Sequence, residues 1–156
     1  GRAFASQKEA FGKFTSCNRN FRLAGDADKR WCGNCAKCAF TSLILAPFIS
    51  REDAIEIFGD VFPDRPNLLP VYEELLGLSS QKPWDCVGTI DECRAALWHI
   101  SKNGPFTDTL IVSTFLSRIE NTVGTKKLET LWAEALIPQP PLLPDPLARA
   151  AESIGT

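Results

Sequence analysis

The sequence predicts a mainly α-helical domain stapled by a four-cysteine zinc knuckle. Three observations support this fold class: apolar residues recur at helical spacing, no segment shows the period-two alternation of a strand, and four cysteines cluster within residues 17–38. We expect residues 1–137 to form the helical domain. Residues 138–156 are expected to be a proline-rich linker that leads into a weak terminal helix.

The first two predicted helices flank the cysteine cluster. Residues 5–14 are predicted to form a short helix, and an irregular loop follows it. The helical pattern resumes at Ala36 and is predicted to kink or end at Pro47, because proline lacks the amide hydrogen that a helix interior needs. The residues expected to face the core are Ala10, Phe11 and Phe14 in the first helix, and Phe40, Leu43, Ile44 and Phe48 in the second.

A third helix is predicted to begin at Ser50 and to stop at Gly59. Ser50 is followed three residues later by Asp53, a spacing that is typical of a helix N-cap. Residues 60–70 contain three prolines and predict a turn-rich connection, and residues 71–76 predict a short helix that ends at Gly77. The apolar residues that the third helix carries are Ala54, Ile55 and Phe58.

The last three predicted helices make up most of the second half of the chain. Thr89 and Glu92 form a capping-box pattern that opens a helix running to Gly104. Residues 107–119 and 125–136 show further helical periodicity. The first of these helices contains Ala96, Leu97 and Ile100. The second has a broad apolar face formed by Ile111, Val112, Phe115, Leu116 and Ile119, and the third carries Leu128, Leu131, Trp132 and Ala135.

Composition limits the classes of function. The 156 residues are 44% hydrophobic and 23% charged, and the net charge of −2 predicts no general attraction to nucleic acid or anionic membranes. The longest apolar run is too short to span a bilayer. The sequence contains no methionine and starts at Gly1, so we expect it to be a piece of a longer protein.

The cysteines at the start of the chain have metal-ligand spacing. Cys17, Cys32, Cys35 and Cys38 follow the pattern C-x14-C-x2-C-x2-C, and four thiolates that close a tetrahedral shell predict a structural zinc site. Alternatives are an iron–sulfur cluster, whose usual fourth cysteine and proline are missing here, and redox-active or disulfide-bonded thiols. Clustered thiols also favour a reducing, cytoplasmic compartment.

Basic and amide side chains surround these cysteines. Arg19, Asn20 and Arg22 are candidate substrate-binding residues, because guanidinium and amide groups in a rigid loop suit a carboxylate or a phosphate. The alternative is that nearby arginines simply offset the negative charge of a zinc ion that carries four thiolates.

Three stretches carry a resemblance to a known family: SCNRNFRL, RWCGNCAKCAFTSLILAPF and KPWDCVGTIDECRAAL. Over residues 13–100 the chain resembles the C-terminal part of the UDP-N-acetyl-α-D-muramoyl-L-alanyl-L-glutamate epimerases of the MurL type. Its cysteine pattern more loosely resembles the zinc site of 7-cyano-7-deazaguanine synthases, which are pyrophosphate-loop ATPases.

The resemblance implies part of a larger α/β enzyme, an ATP- and magnesium-dependent isomerase of peptidoglycan precursor synthesis that serves cell wall biogenesis and cell shape. Its substrate would be the UDP-muramoyl dipeptide, whose terminal L-glutamate it inverts, and its nucleotide-binding domain would lie upstream. This chain contains no phosphate-binding loop motif and is expected to be inactive alone.

Inversion of a stereocentre needs a base and an acid, and the candidates are Cys86 and His99. Cys86 precedes the capped helix, where a thiolate is favoured, and His99 is the single histidine. The neighbouring Cys93 is a weaker candidate because it shares a face with core residues. The competing hypothesis is a non-catalytic, zinc-stabilised domain that binds another protein.

Overall fold

The computed structural model describes residues 1–20, 29–79, 81, 83 and 87–137. Within these residues the protein consists of α-helices and short 3-10 helices and contains no strand, which confirms the predicted mainly α-helical class. None of the helices in this part of the chain is long and apolar enough to cross a bilayer. The α-helices are α1 (Arg2–Ala5), α2 (Ala36–Leu45), α3 (Arg51–Phe58), α4 (Leu69–Leu75), α5 (Ile90–Lys102), α6 (Leu110–Val123) and α7 (Thr125–Ala135).

Helix α5 is the common packing partner of α2, α6 and α7. Its buried face is formed by Cys93, Ala96, Leu97 and Ile100, which recur at the three- and four-residue spacing of one helix face. Helix α2 also contacts α4. Because α2 starts beside the cysteine cluster, it connects that cluster directly to the core.

Helix α2 begins at Ala36 and gives way to a 3-10 helix at Pro47, as predicted. Its buried face differs from the expected stripe, because Phe40, Ile44 and Phe48 are only half-buried. The fully buried positions are mostly small, which allows α2 to approach its neighbours closely. They are Ala36, Cys38, Ala39, Ser42, Leu43 and Leu45.

Helix α3 has the predicted ends. The Ser50 hydroxyl accepts a hydrogen bond from the Asp53 amide, the Asp53 carboxylate accepts one from the Ser50 amide, and Gly59 ends the helix in a left-handed conformation. Of its apolar residues, Ile55 points away from the core, since its side chain is 53% exposed. Ile57 is buried instead, because it lies three residues after Ala54 on the same face.

The predicted helix over residues 5–14 is also wrong. A single α-helical turn, α1, is followed by a 3-10 helix at Lys8–Ala10. The Ser6 hydroxyl donates to the Ala3 carbonyl over 2.9 Å, a local side-chain bond that competes with continued helix formation. Phe11 is nevertheless fully buried.

Helix α6 starts three residues later than predicted. The Thr109 hydroxyl donates to the Phe106 carbonyl over 2.7 Å and holds this segment in a turn. The first amide of the helix, that of Leu110, then donates to the Asp64 carboxylate over 3.0 Å. Asp64 is distant in sequence, so this tertiary cap gives no local signal. Helices α4, α5 and α7 lie within two residues of their predicted bounds, whereas residues 138–156 lie outside the described residues.

Candidate metal centre

The four clustered cysteines come together at the N-terminus of α2. Cys17 comes from the loop after the first turns, Cys32 and Cys35 from the knuckle before the helix, and Cys38 from its first turn. Their sulfur atoms all lie within 4.8 Å of one another. Cys17, Cys35 and Cys38 are buried, and Cys32 is half-buried.

The spacing of the sulfur atoms suits a tetrahedral metal ion. The Sγ–Sγ distances are 4.0 Å for Cys17–Cys35, 3.7 Å for Cys32–Cys38 and 3.5 Å for Cys35–Cys38. Zinc–thiolate bonds of about 2.3 Å in a tetrahedron place sulfur atoms about 3.8 Å apart. The four cysteines could therefore hold one metal ion, and four thiolates would leave no open position on it.

Gly33 makes the tight turn of the knuckle. Its φ of +61° lies in the left-handed region, which glycine adopts without a steric cost. A Cβ atom at this position would meet the Arg65 guanidinium. The turn also brings the Cys32 amide to 3.4 Å from the Cys17 sulfur, a donor of the kind that stabilises a thiolate.

Two residues outside the cysteine motif brace the knuckle from the turn-rich connection between α3 and α4. The Asn67 side-chain amide donates to the Gly33 carbonyl over 3.0 Å. Arg65 lies against Gly33 while it pairs with Asp60 at 2.6 Å and covers the Phe62 ring at 4.9 Å. Sequence reasoning missed both braces. Nothing in the local pattern around residues 60–70 connects them to a motif some 34 residues upstream.

The thiols differ in their tendency to ionise. Hydrogen bonding with neighbouring thiols, with Cys38 above all, lowers the pKa of Cys35 to about 5. Burial raises the pKa of Cys32 to about 11, and the hydrogen bond shared with Cys35 raises the pKa of Cys38. Repulsion between adjacent thiolates opposes the ionisation of all four thiols. A cation bound between them would remove this repulsion and favour four thiolates.

The structure describes two of the three predicted substrate-binding residues, Arg19 and Asn20. Arg19 is exposed and lines a cleft of about 330 Å³ together with Asn18, Asn34 and Cys35. Asn20 is half-buried, and its amide donates to the Lys29 carbonyl over 2.5 Å. Arg22 lies outside the described residues, so of the two candidates that the structure describes, Arg19 lines the cleft and Asn20 is not among its lining residues.

Arg30, another basic residue near the cysteines, links two segments of the backbone. Its guanidinium donates to the Phe11 carbonyl over 2.7 Å and to the Glu56 carbonyl over 2.9 Å. The second bond satisfies a carbonyl near the C-terminus of α3, where a cation also interacts favourably with the helix dipole.

The predicted acid–base pair is described only in part, because Cys86 lies outside the described residues. His99 lies on α5 and stacks on Trp132 of α7, with ring centroids 4.0 Å apart and planes inclined by 13°. Burial lowers its pKa. Cys93 is fully buried in the core cluster, as its helical face predicts. The catalytic roles of Cys86 and His99 stay predictions.

Comparison with known proteins gives a consistent result. Residues 13–130 match the family model described as the MurL C-terminal domain. A protein of Salinispora tropica named UDP-N-acetyl-alpha-D-muramoyl-L-alanyl-L-glutamate epimerase is 41% identical over 108 residues, which cover 69% of this chain and 23% of that protein.

Two further proteins carry the same name. One from a Micromonospora species is 36% identical over 87% of this chain and 30% of its own length. One from Xanthomonas oryzae pv. oryzae is 33% identical over 82% of this chain and 29% of its own length. The chain thus spans less than a third of these curated relatives, and no solved structure matches it.

Proposed function

Because this chain belongs to the family of MurL C-terminal domains, we propose that it is the C-terminal part of an ATP-dependent epimerase. The epimerase inverts the terminal L-glutamate of UDP-N-acetylmuramoyl-L-alanyl-L-glutamate, an isomerisation in peptidoglycan precursor synthesis. The observation that carries the proposal is the match over residues 13–130, which contains all four clustered cysteines. We place the protein in the cytoplasm, where such thiols stay reduced.

The cysteine cluster is proposed to bind one zinc ion with a structural role. The all-sulfur donor set and the sulfur spacing support zinc, and a closed four-thiolate shell offers no position for substrate. The ion would tie the loop that carries Cys17 to the start of α2. The free energy of metal binding would then contribute to the stability of the fold.

ATP and magnesium are proposed to bind the upstream nucleotide-binding domain of the same protein. This chain has neither a P-loop signature nor an SGGxDS-like loop to cradle phosphates. Conversion of the glutamate carboxylate into an acyl-adenylate makes the Cα proton far easier to remove. A base on one face of Cα and an acid on the other then complete the inversion.

Arg19, Asn20 and Arg22 are proposed to bind a carboxylate or phosphate of the UDP-muramoyl dipeptide. The exposure of Arg19 beside the cleft at the knuckle supports this role for the loop. Cys86 and His99 are proposed as the acid–base pair. The half-buried position of His99 and its lowered pKa leave the imidazole neutral at physiological pH, as a base requires.

The experiment uses the full-length epimerase. Chiral chromatography measures the ATP-dependent conversion of L- to D-glutamate, and elemental analysis measures the zinc content. We expect Cys32→Ser to lower zinc content and activity together. Cys93→Ala is the matched control, since it removes a buried cysteine outside the cluster and should retain zinc.

Two outcomes would contradict the proposal. If full-length protein converts no glutamate with ATP yet retains zinc, the zinc-stabilised interaction domain becomes the better interpretation. If Cys32→Ser keeps a full complement of zinc and an intact fold, the four-thiolate site is wrong.

A further inference from the structure

A largely apolar cavity of about 630 Å³ lies where α1 meets the end of α2, α5 and α7. Its apolar walls come from Ile44, Phe48, Trp132 and Ile137, and the first residues of the chain also line it. These residues are separate from the cysteine cluster and from the cleft at the knuckle. The cavity is therefore a surface feature distinct from the candidate metal centre.

We propose that this cavity is the surface on which the upstream part of the same epimerase polypeptide docks, through an apolar side-chain segment of that part. The inference rests on the proposed function, in which this chain is the C-terminal domain of a longer enzyme. It adds to that function the face of the domain that contacts the remainder.

The first argument is the amount of protein outside this chain and the place where it must connect. The curated relatives extend far beyond the aligned region, since this chain covers 23% to 30% of their length. In a C-terminal domain, the residues before Gly1 join the remainder. Gly1 and Ala3 themselves line the cavity, so the preceding polypeptide emerges at its wall.

Contacts of the first residue strengthen this argument. Gly1 lies against the Phe48 ring, so closely that a Cβ atom there would approach the ring carbons to 2.6 Å. The Ala5 amide also donates to the Gly1 carbonyl over 3.0 Å. A covalent connection at this wall raises the effective concentration of the upstream part at the cavity, which favours docking even through a modest surface.

The second argument is the chemistry of the surface. Ile137, which follows α7 at the rim, is 61% exposed although it is a large apolar side chain. Trp132 forms a fixed wall, because His99 covers one part of it at 4.0 Å and Phe48 stacks with it at 5.9 Å. A rigid apolar recess with an exposed apolar rim suits an apolar anchor from a partner.

Photocrosslinking in the full-length protein tests the proposal. Ile137 is replaced by p-benzoylphenylalanine, and so, as the matched control, is Ile55 on α3, which is 53% exposed and does not line the cavity. Both side chains are exposed, so both replacements should fold. We expect irradiation to link position 137, but not position 55, to a peptide upstream of Gly1 in the same polypeptide.

The other outcomes overturn the proposal. These are a crosslink from position 137 to residues 138–156, a crosslink to a second copy in an isotope-mixed sample, absence of any upstream crosslink, or equal upstream crosslinking from both positions. The readout is independent of catalysis. An enzyme that is active but gives no upstream crosslink contradicts the docking surface alone, whereas a crosslinked protein without ATP-dependent epimerisation contradicts the proposed function alone.

Discussion

Gly33 lies where the knuckle contacts the Arg65 side chain. Its positive φ is a backbone conformation that glycine adopts without strain and that other residues rarely adopt. The Arg65 guanidinium also fills the space into which a Cβ would point. Arg65 is itself fixed by Asp60 and by the Phe62 ring. The residue therefore combines a backbone requirement with a packing requirement, and the two can be separated experimentally.

We expect Gly33→Ala to destabilise the protein more than Gly59→Ala. Gly59 has a similar φ of +78° but open space around it, so alanine there should cost only the left-handed penalty of about 1–2 kcal/mol. At Gly33 the displaced Arg65 also loses its ion pair and ring contact, which adds roughly 0.5–1.5 kcal/mol. Urea unfolding of both variants measures the difference.

The same pair can be tested in an Arg65→Ala background. There the cost of Gly33→Ala should fall to that of Gly59→Ala, because the guanidinium that the Cβ would displace is gone. Equal costs for the two alanine substitutions in the wild-type background would show that Arg65 does not brace the knuckle.

His99 gives the folded protein a pH dependence. Burial lowers its pKa below the ordinary value of 6.5, so at mildly acid pH the unfolded chain binds a proton more readily than the folded one. The contribution is fully present above pH 6.5 and is lost as the pH falls from there through the folded-state pKa. Stability should therefore decline on acidification partly because of this residue.

His99→Phe keeps an aromatic ring against Trp132 but cannot titrate. We expect the loss of unfolding free energy between pH 7.5 and pH 5.5 to be smaller in this variant than in the wild type. The two proteins share all other titrating groups, so the difference between their losses is the contribution of His99. Urea unfolding at each pH measures it. An identical loss in both proteins would mean that the imidazole is not desolvated.

At the scale of helices, α5 depends on its N-cap. The Thr89 hydroxyl accepts a hydrogen bond from the Glu92 amide over 3.1 Å, and the Glu92 carboxylate accepts one from the Thr89 amide over 2.6 Å. We expect Thr89→Ala to cost about 1 kcal/mol, within the 0.5–2 kcal/mol range of such caps. Thermal or urea unfolding provides the measurement.

Thr125→Ala is the control for this substitution. Thr125 is the exposed first residue of α7, whose N-cap, Gly124, makes no side-chain bond. Its replacement should change stability by less than about 0.5 kcal/mol. If both threonine substitutions have the same effect, the capping box at α5 contributes nothing specific.

Local signals of this kind were the part of the fold that could be predicted. Both capping boxes and the break at Pro47 depend on residues within four positions of one another. The start of α6 could not be predicted, because its first amide is capped by Asp64 from another element. The burial of Ile57 in place of Ile55 likewise depends on how α3 is rotated against the core.

In the candidate metal centre, too, the local pattern could be predicted and the long-range contacts could not. Cysteine spacing predicted a group of four thiols that the structure does bring together. The braces at Arg65 and Asn67 were missed, because the contact with Gly33 joins positions distant in sequence. The role of Arg30 as a link between backbone carbonyls was missed for the same reason.

Across the whole molecule, the cysteine cluster is continuous with the core. Cys17, Cys35 and Cys38 belong to the same buried cluster as Leu43 and Leu97, and α2 carries contacts from the knuckle to α4 and α5. Release of the four sulfur atoms would therefore free the loop of Cys17 and the first turn of α2 together. If the four thiols hold the proposed zinc ion, its removal should therefore lower the stability of the whole domain.

Metal removal is consequently expected to lower the melting temperature of the protein, with recovery on addition of zinc. A ligand that binds only the folded state at 100 times its dissociation constant adds about 2.7 kcal/mol. For a chain of this size that corresponds to a shift of about 5–10 °C. Differential scanning calorimetry with and without a chelator, paired with elemental analysis, measures it.

Cys93→Ala should show the same zinc-dependent shift, because its thiol lies outside the cluster. Cys32→Ser should melt near the chelated wild type and respond little to zinc. A melting temperature that stays constant while analysis proves complete loss of zinc would separate the ion from the fold, and the knuckle would then be held by the Arg65 and Asn67 braces alone.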